Sequence, residues 1–268
     1  MTARNIIIAL SVKYKGDFDG IIKAIKNREP MDPAEADKIV TSLKCKTVTI
    51  LDKEYPSSFK PVAKPPLCLF YYGDINLIKE EANCISYVGD RSASAYGLKT
   101  ATTLATAIAK NDLVLTSGFS KGIDFMAMRA ALDAGGKVVG VLPCGVDTCY
   151  PESSKNLCEE LKTKGLVISE YPLKTGTSAV NFPMRNRLIA AISHTLIIGE
   201  AAEKSGSLIT VGYALAMNKD VGCIPFQAGG HSACNALIRE GAYLIDSADD
   251  LIHLAKNTLD VSEKKEDK

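Results

Sequence analysis

Charge of one sign is what this sequence most plainly lacks: 32 Lys plus Arg stand against 31 Asp plus Glu in 268 residues, a formal net charge of +1. A uniform polycation that coats DNA or an anionic membrane is thereby excluded. Aromatic residues are few, at 6%, while 46% of the chain is hydrophobic and 24% charged. That is the balance of an ordinary soluble globular protein with a sizeable core, and the disordered, collagen-like and coiled-coil classes drop out. Long apolar runs are missing too. The longest near the start, Ile6 to Leu10, is too short for a membrane span or a secretory segment, so no membrane association and a cytoplasmic location are expected. The eight cysteines are too sparse for a disulfide framework, and no Cys-x-x-Cys pair suggests zinc or redox chemistry. Cys84 and Cys223 fall in apolar runs and read as small buried hydrophobes. Cys144 and Cys149 bracket a turn, with no basic neighbour to stabilise a thiolate.

What is present divides into three regions. Residues 1–45 read as a small helical domain, with Ile21, Ile22 and Ile25 on one apolar face. Residues 46–257 form the core. Alternation over Thr47 to Leu51, a proline-rich connector and a second apolar run from Leu67 to Tyr72 give two strands that join it. From Cys84 onward, short apolar runs at 84–88, 113–117, 137–142, 166–170, 195–200 and 221–225 alternate with segments long enough for crossover helices. Runs without polar alternation suit strands buried on both faces, so the fold class is α/β, a doubly wound, mostly parallel sheet. In the first crossover, Leu98, Ala101, Ala105 and Ile108 make one helical stripe. The polar tail 258–268 has little to bury and should fray.

In such a sheet the ligand crevice lies outside the carboxyl ends of the strands. Four loops stand out there: Val88 to Ser94, Thr116 to Asp124, Asn181 to Arg187, and Glu200 to Ser207. Small residues let backbone N–H groups approach an anion, a following helix N-terminus adds positive dipole, and a basic side chain completes a phosphate cradle. Any one loop is explained by turn formation alone. The set carries more weight, because Arg91, Lys121, Arg185, Arg187 and Lys204 fall near one expected sheet edge. The candidate DNA- or phosphate-binding set is Gly89, Arg91, Ser92, Ser117, Gly118, Lys121, Gly122, Phe182, Arg185, Asn186, Arg187, Lys204, Ser205, Gly206 and Ser207. Several cradles along one edge suit a threaded polyanion, with Phe182 either stacking on a base or packing inward ahead of a helix starting at Pro183.

Cofactor signatures are absent. A dinucleotide fingerprint needs G-x-G-x-x-G after the first strand, whereas Gly89 and Gly97 are eight apart, and no G-x-x-x-x-G-K-[ST] occurs. No cofactor is expected. Catalytic groups are thin as well. His194 precedes a strand, at the wrong sheet edge; His253 lies on a terminal helix pattern; His231, in Gly229-Gly230-His231-Ser232, is the one histidine in a plausible ligand loop. Asp124 and Glu200 read either as a carboxylate pair or as structural groups, Asp124 orienting the Ser117-Gly118 loop and Glu200 holding a backbone N–H or Arg91.

Five motifs in series, Ser117 to Asp124, Asp147 to Pro151, Ser169 to Pro172, Phe182 to Arg187 and Glu200 to Thr210, resemble the DNA-processing protein A (DprA, or Smf) family along residues 46–255. The N-terminal helices look like that family's small SAM or helix-hairpin-helix domain. The resemblance implies an extended Rossmann-like fold that is not an enzyme. It would bind and protect single-stranded DNA, form a homodimer, and load RecA recombinase in natural transformation or DNA uptake. The family's DNA contacts correspond to Arg91, Ser117, Gly118, Lys121, Gly122, Phe182, Arg185, Arg187, Lys204, Ser205 and Gly206. Three positions depart: Lys121 replaces the usual Arg and loses its bidentate geometry, Met128 replaces a His, and Pro225-Phe226 replaces Pro-Gly. The winged-helix module of many members is not among these residues, so no role of that module is expected.

Two rival readings are a Rossmann-like enzyme that hydrolyses nucleotide N-glycosidic bonds, and a nucleotide sensor. The enzyme reading wants Pro-Gly-Gly-x-Gly-Thr where this chain has Glu203-Lys204-Ser205-Gly206-Ser207.

Overall fold

Helix starts follow the capping chemistry in the chain. Thr2 accepts from the Asn5 N–H ahead of α1 (Ala3–Lys13), Asp17 from Gly20 ahead of α2 (Phe18–Lys26), and Asp32 from Ala34 ahead of α3 (Pro33–Ser42). The computed structural model describes residues 2–227 and 232–256. The tail 258–268 and the Gly229-Gly230-His231 segment lie outside the described residues.

After the three helices come β1 (Lys46–Thr49) and β2 (Cys68–Gly73), then β3 (Cys84–Val88), α4 (Ala95–Lys110), β4 (Val114–Ser117), α5 (Ile123–Asp133) and β5 (Lys137–Val141). The chain continues through α6 (Lys155–Lys164), β6 (Leu166–Ser169), α7 (Asn181–Ile192), β7 (Thr195–Ile198), α8 (Ser207–Ala216), β8 (Asp220–Cys223), α9 (Ala233–Arg239) and β9 (Tyr243–Leu244). A last helix covers 248–256. The strands form one sheet in the order β1-β2-β6-β5-β4-β3-β7-β8-β9. The pairs β1/β2 and β2/β6 are antiparallel, and all others are parallel. This is the doubly wound, mostly parallel α/β sheet that the apolar runs predict.

Residues of the central strands are buried on both faces. Ile85, Tyr87, Leu115, Val138 and Ile197 meet Ile8, Ile21, Leu104, Ile108, Ala127 and Leu157 from the α1, α2, α4, α5 and α6 side. Val88, Val114, Val139, Ile168 and Ile198 meet Leu188, Ile189, Val211 and Cys234 from the α7, α8 and α9 side. Each such aliphatic or aromatic side chain contributes roughly 1.5–3 kcal/mol on burial. On α2 the buried stripe runs through Ile21 and Ala24, leaving Ile25 42% exposed. A buried hydroxyl relay fixes α7 against the sheet: Ser193 Oγ and Ser86 Oγ lie 2.7 Å apart, and Ser86 Oγ donates to the Ile189 carbonyl at 2.6 Å.

Two expectations need correction. The helix expected to start at Pro183 starts at Asn181, because the missing N–H of a proline in the first turn has no intrahelical partner to lose. Cysteine pairing was not expected, yet Cys149, in the loop after β5, and Cys158 on α6 form a disulfide with Cα atoms 5.8 Å apart. Among the described residues no helix is long and apolar enough to cross a membrane.

β3 lies between β4 and β7, and the chain leaves it first toward β4 and later returns toward β7. The loops after β3 and β7 therefore diverge at a topological switch point, where an open sheet leaves a crevice.

Candidate nucleic-acid interface

The crevice is built from backbone outward. Gly199 N–H donates to Val88 O at 3.0 Å, Asp90 N–H to Glu200 O at 2.8 Å, and Ile123 N–H to Asp90 O at 3.1 Å, so three loops are laced together through the β3 end. Gly122 permits this. Its φ is +77°, and a Cβ there would fall 2.3 Å from Asp90 O and 2.7 Å from Arg91 O.

Between the lacing and α7 lies a cleft of about 530 Å³. Ten of the fifteen candidates line it: Gly89, Arg91, Ser92, Phe182, Arg185, Asn186, Lys204, Ser205, Gly206 and Ser207. On α7 the cleft is lined by Phe182, Arg185, Asn186 and Ile189, which fall at i, i+3, i+4 and i+7 on one helical face, and by Pro183 in the first turn. Arg91 is exposed, with its guanidinium 5.6 Å from the Phe182 ring centroid, while the Tyr150 ring meets Phe182 edge-on at 5.8 Å. Lys204 is exposed on the opposite lip.

Five candidates do not line the cleft. Ser117 is fully buried, its Oγ donating to Tyr87 O at 2.6 Å, so it ties β4 to β3 and has no free hydroxyl for a phosphate. Gly118 makes room for Arg185, since a Cβ there would lie 2.1 Å from Arg185 Nη1. Arg187 is 1% exposed and donates from Nη2 to Glu170 Oε2 at 2.5 Å, on the far side of α7 from the cleft. Residues two apart on a helix point about 200° away from one another, so Arg185 and Arg187 do not share a ligand face. Gly122 serves the lacing. Lys121 is exposed, directly after the cleft-lining Ser120.

Arg185 is buried at the cleft floor, donating to Gly118 O and to Val141 O, the latter at 2.9 Å. Burial draws its guanidinium down to about 10, with Asp124 opposing the shift. Asp124 accepts from the Gly89 N–H at 3.2 Å, and burial raises its carboxyl to about 6, with Arg185 acting the other way. Glu200 accepts from Ser94 N–H at 3.0 Å and from Ser94 Oγ at 2.7 Å, while Ser94 Oγ in turn accepts from the Gly97 N–H. Glu200 therefore braces the N-terminus of α4. Of the two readings of this pair of carboxylates, the geometry favours the structural one, with Asp124 holding the Gly89 N–H after β3 rather than the Ser117-Gly118 loop.

Sequence reasoning missed Asp90. Its Oδ2 accepts from the Ala202 N–H at 2.7 Å and its Oδ1 from the Ser205 hydroxyl. The only signal was its place in Gly89-Asp90-Arg91; its partners lie more than a hundred residues away. Ser120, Ile209 and Thr210 also line the cleft. His194 lies 4.0 Å from Asp220 at the start of β7, at the opposite sheet edge as expected. Among the described residues no cluster of His, Cys, Asp or Glu could hold a metal ion.

Residues 46–256 match the family model described as DNA recombination-mediator protein A. The chain belongs to that family. It is 37% identical over 206 residues to DNA processing protein DprA of Streptococcus pneumoniae, spanning 76% of this chain and 72% of the relative. The X-ray structure of DprA from Streptococcus pneumoniae covers 93% of this chain and 92% of its own, with TM-score 0.78 at 32% identity. The structure of DprA from Helicobacter pylori, described for its single-stranded DNA binding mode, covers 80% of this chain and 96% of its own, with TM-score 0.72 at 28% identity.

Within this DprA-family chain the departures have local explanations. Met128 is fully buried on α5 and packs in the core. Phe226 is held from both sides by Asn235, which accepts from the Phe226 N–H and donates to the Phe226 carbonyl, each at 2.9 Å. Its ring meets Tyr96 edge-on at 6.1 Å, and Tyr96 Oη donates to Pro225 O. Residues 225 and 226 are thus fixed without the glycine.

Proposed function

We propose that this recombination-mediator family member binds single-stranded DNA in the switch-point cleft. The observation that carries the reading is one cleft combining exposed Arg91 and Lys204, the buried guanidinium of Arg185, and the partly exposed Phe182 ring. The cations hold successive phosphates, and the Phe182 face takes a base, so affinity is largely independent of sequence and falls with salt. Lys121, beside the cleft, extends the track. Ser205, Gly206 and Ser207 lead into α8, where the Ser207 N–H donates to Ser205 Oγ at 3.3 Å, and the positive end of the helix dipole there favours a phosphate. In this reading Ser117, Gly118, Gly122 and Arg187 support the site from behind.

The protein is a mediator rather than an enzyme. The carboxylate pair that a glycosidase reading needs is not assembled in the cleft: Asp124 lines it and holds the Gly89 N–H, whereas Glu200 is turned to Ser94 and does not line it. Incubation with nucleoside monophosphates is expected to release no free base. The strand so held is protected and handed to a RecA-type recombinase during DNA uptake. A second copy of the chain is its other partner, and the adjacent exposed apolar side chains Tyr243 (50%) and Leu244 (48%) at the sheet edge support this. Gel-shift with single-stranded and double-stranded DNA of equal length tests the reading. Preference for the single strand is expected, and preference for duplex would overturn it.

A further inference from the structure

Inside a cleft read as a phosphate site, two groups have the wrong charge: Asp124, buried with the Arg185 guanidinium to offset it, and Asp90, which faces the β7–α8 loop. Asp90 lines the cleft, and its carboxylate takes the Ala202 N–H at 2.7 Å and the Ser205 hydroxyl. These two donors sit in the β7–α8 loop, where a backbone N–H and a small hydroxyl would otherwise face an incoming phosphate. A carboxylate carries the charge sign and acceptor geometry of a phosphate edge. The geometry points to Asp90 as a built-in competitor: in the DNA-free protein its carboxylate holds the place of a phosphate on the Ala202–Ser205 loop, and a bound strand displaces it.

The arrangement suits such a swap. The Asp90 backbone is fixed, with its N–H on Glu200 O at 2.8 Å and its carbonyl receiving the Ile123 N–H at 3.1 Å, so only the side chain has to turn. Arg91, next in the chain, stands over Phe182 rather than on Asp90 and stays available to the strand. The competitor also sets a threshold. A lone phosphate gains only the two loop donors and must overcome the carboxylate's repulsion, whereas a polyanion adds its attraction to Arg91, Lys204 and Arg185 and passes the barrier. Asp90 therefore selects a strand over a single phosphate group.

The inference rests on the proposed function for its DNA part, and two readouts separate the two. Asp90→Asn keeps one acceptor and the shape of the loop while removing the charge; Asp90→Ala removes both, and thermal melting checks that each variant folds. Oligo-dT affinity is expected to rise about tenfold in Asp90→Asn. Inorganic phosphate, with little effect on the wild type, is expected to raise the melting temperature of Asp90→Asn. If Arg91→Ala weakens oligo-dT binding but Asp90→Asn binds no tighter and ignores phosphate, Asp90 only shapes the loop and the inference is overturned while the DNA reading stands. If neither wild type nor Asp90→Asn binds oligo-dT, the DNA reading fails. The competitor role then holds only if phosphate still stabilises the variant more than the wild type.

Discussion

Removing Arg187 separates a structural cation from a binding one. Arg187 and Glu170 are 1% and 5% exposed and are joined at 2.5 Å. Arg187→Ala leaves the Glu170 carboxylate buried without its cation, a change that costs about 3–5 kcal/mol. Set against a domain stability of roughly 5–15 kcal/mol, the loss is large but survivable. The penalty should depend on pH, with a definite sign. Burial already holds the Glu170 carboxyl above the usual range, with Arg187 pulling it down, so the variant pushes it further up. A carboxyl raised on folding contributes its stability fully below the unfolded value, about 4.3 for Glu, and loses it as pH rises through the folded value. Urea unfolding of wild type and variant should therefore give a small difference near pH 4 and the full difference near neutrality. Oligo-dT binding by the folded variant should stay close to wild type, because Arg187 does not line the cleft. Wild-type stability combined with lost DNA binding would refute the reasoning and return Arg187 to the phosphates.

Three further outcomes follow from the geometry. Gly118→Ala puts a methyl 2.1 Å from Arg185 Nη1 and should cost about 1–3 kcal/mol by overpacking, together with a loss of oligo-dT affinity as Arg185 is displaced; unchanged denaturation and binding curves would contradict it. Asp124, with its folded carboxyl at about 6 against about 3.9 unfolded, contributes stability that is complete below the unfolded value and falls as pH rises through 6, a loss on the order of 3 kcal/mol at most; Asp124→Asn should flatten that slope in pH-dependent urea unfolding. Opening the Cys149–Cys158 disulfide, nine residues apart, by a double Cys→Ser change should lower stability by about 2–3 kcal/mol in the chain-entropy model, read from the denaturation midpoint.

The parallel strands were legible because burial on both faces removes polar alternation: β3 is the 84–88 run residue for residue, and β4 through β8 lie within two residues of their apolar runs at either end. β9 was not, being two exposed residues that pair only once β8 is in place. The crevice was legible too, since the switch point follows from strand order and small-residue loops mark its walls. Arg187 was grouped with Arg185 because both sit in one motif, although helical phase separates them. Its partner Glu170 comes from the end of β6, a tertiary contact with no local signature. Asp90 was passed over for the same reason: its meaning depends on Ala202 and Ser205, brought to it by the adjacency of β3 and β7. The Cys149–Cys158 pair depends on how the loop after β5 folds back onto α6, which spacing does not reveal.

Fluorescence anisotropy of labelled oligo-dT, titrated with wild type and Arg91→Ala over a series of salt concentrations and set beside a duplex of the same length, tests the central claim most directly. The account predicts that wild type prefers the single strand, that Arg91→Ala weakens binding about tenfold, and that the log–log salt slope falls by about 0.7 for the single phosphate that Arg91 neutralises. Equal affinity of both proteins for oligo-dT with an unchanged salt slope, or tighter binding of the duplex, would contradict it.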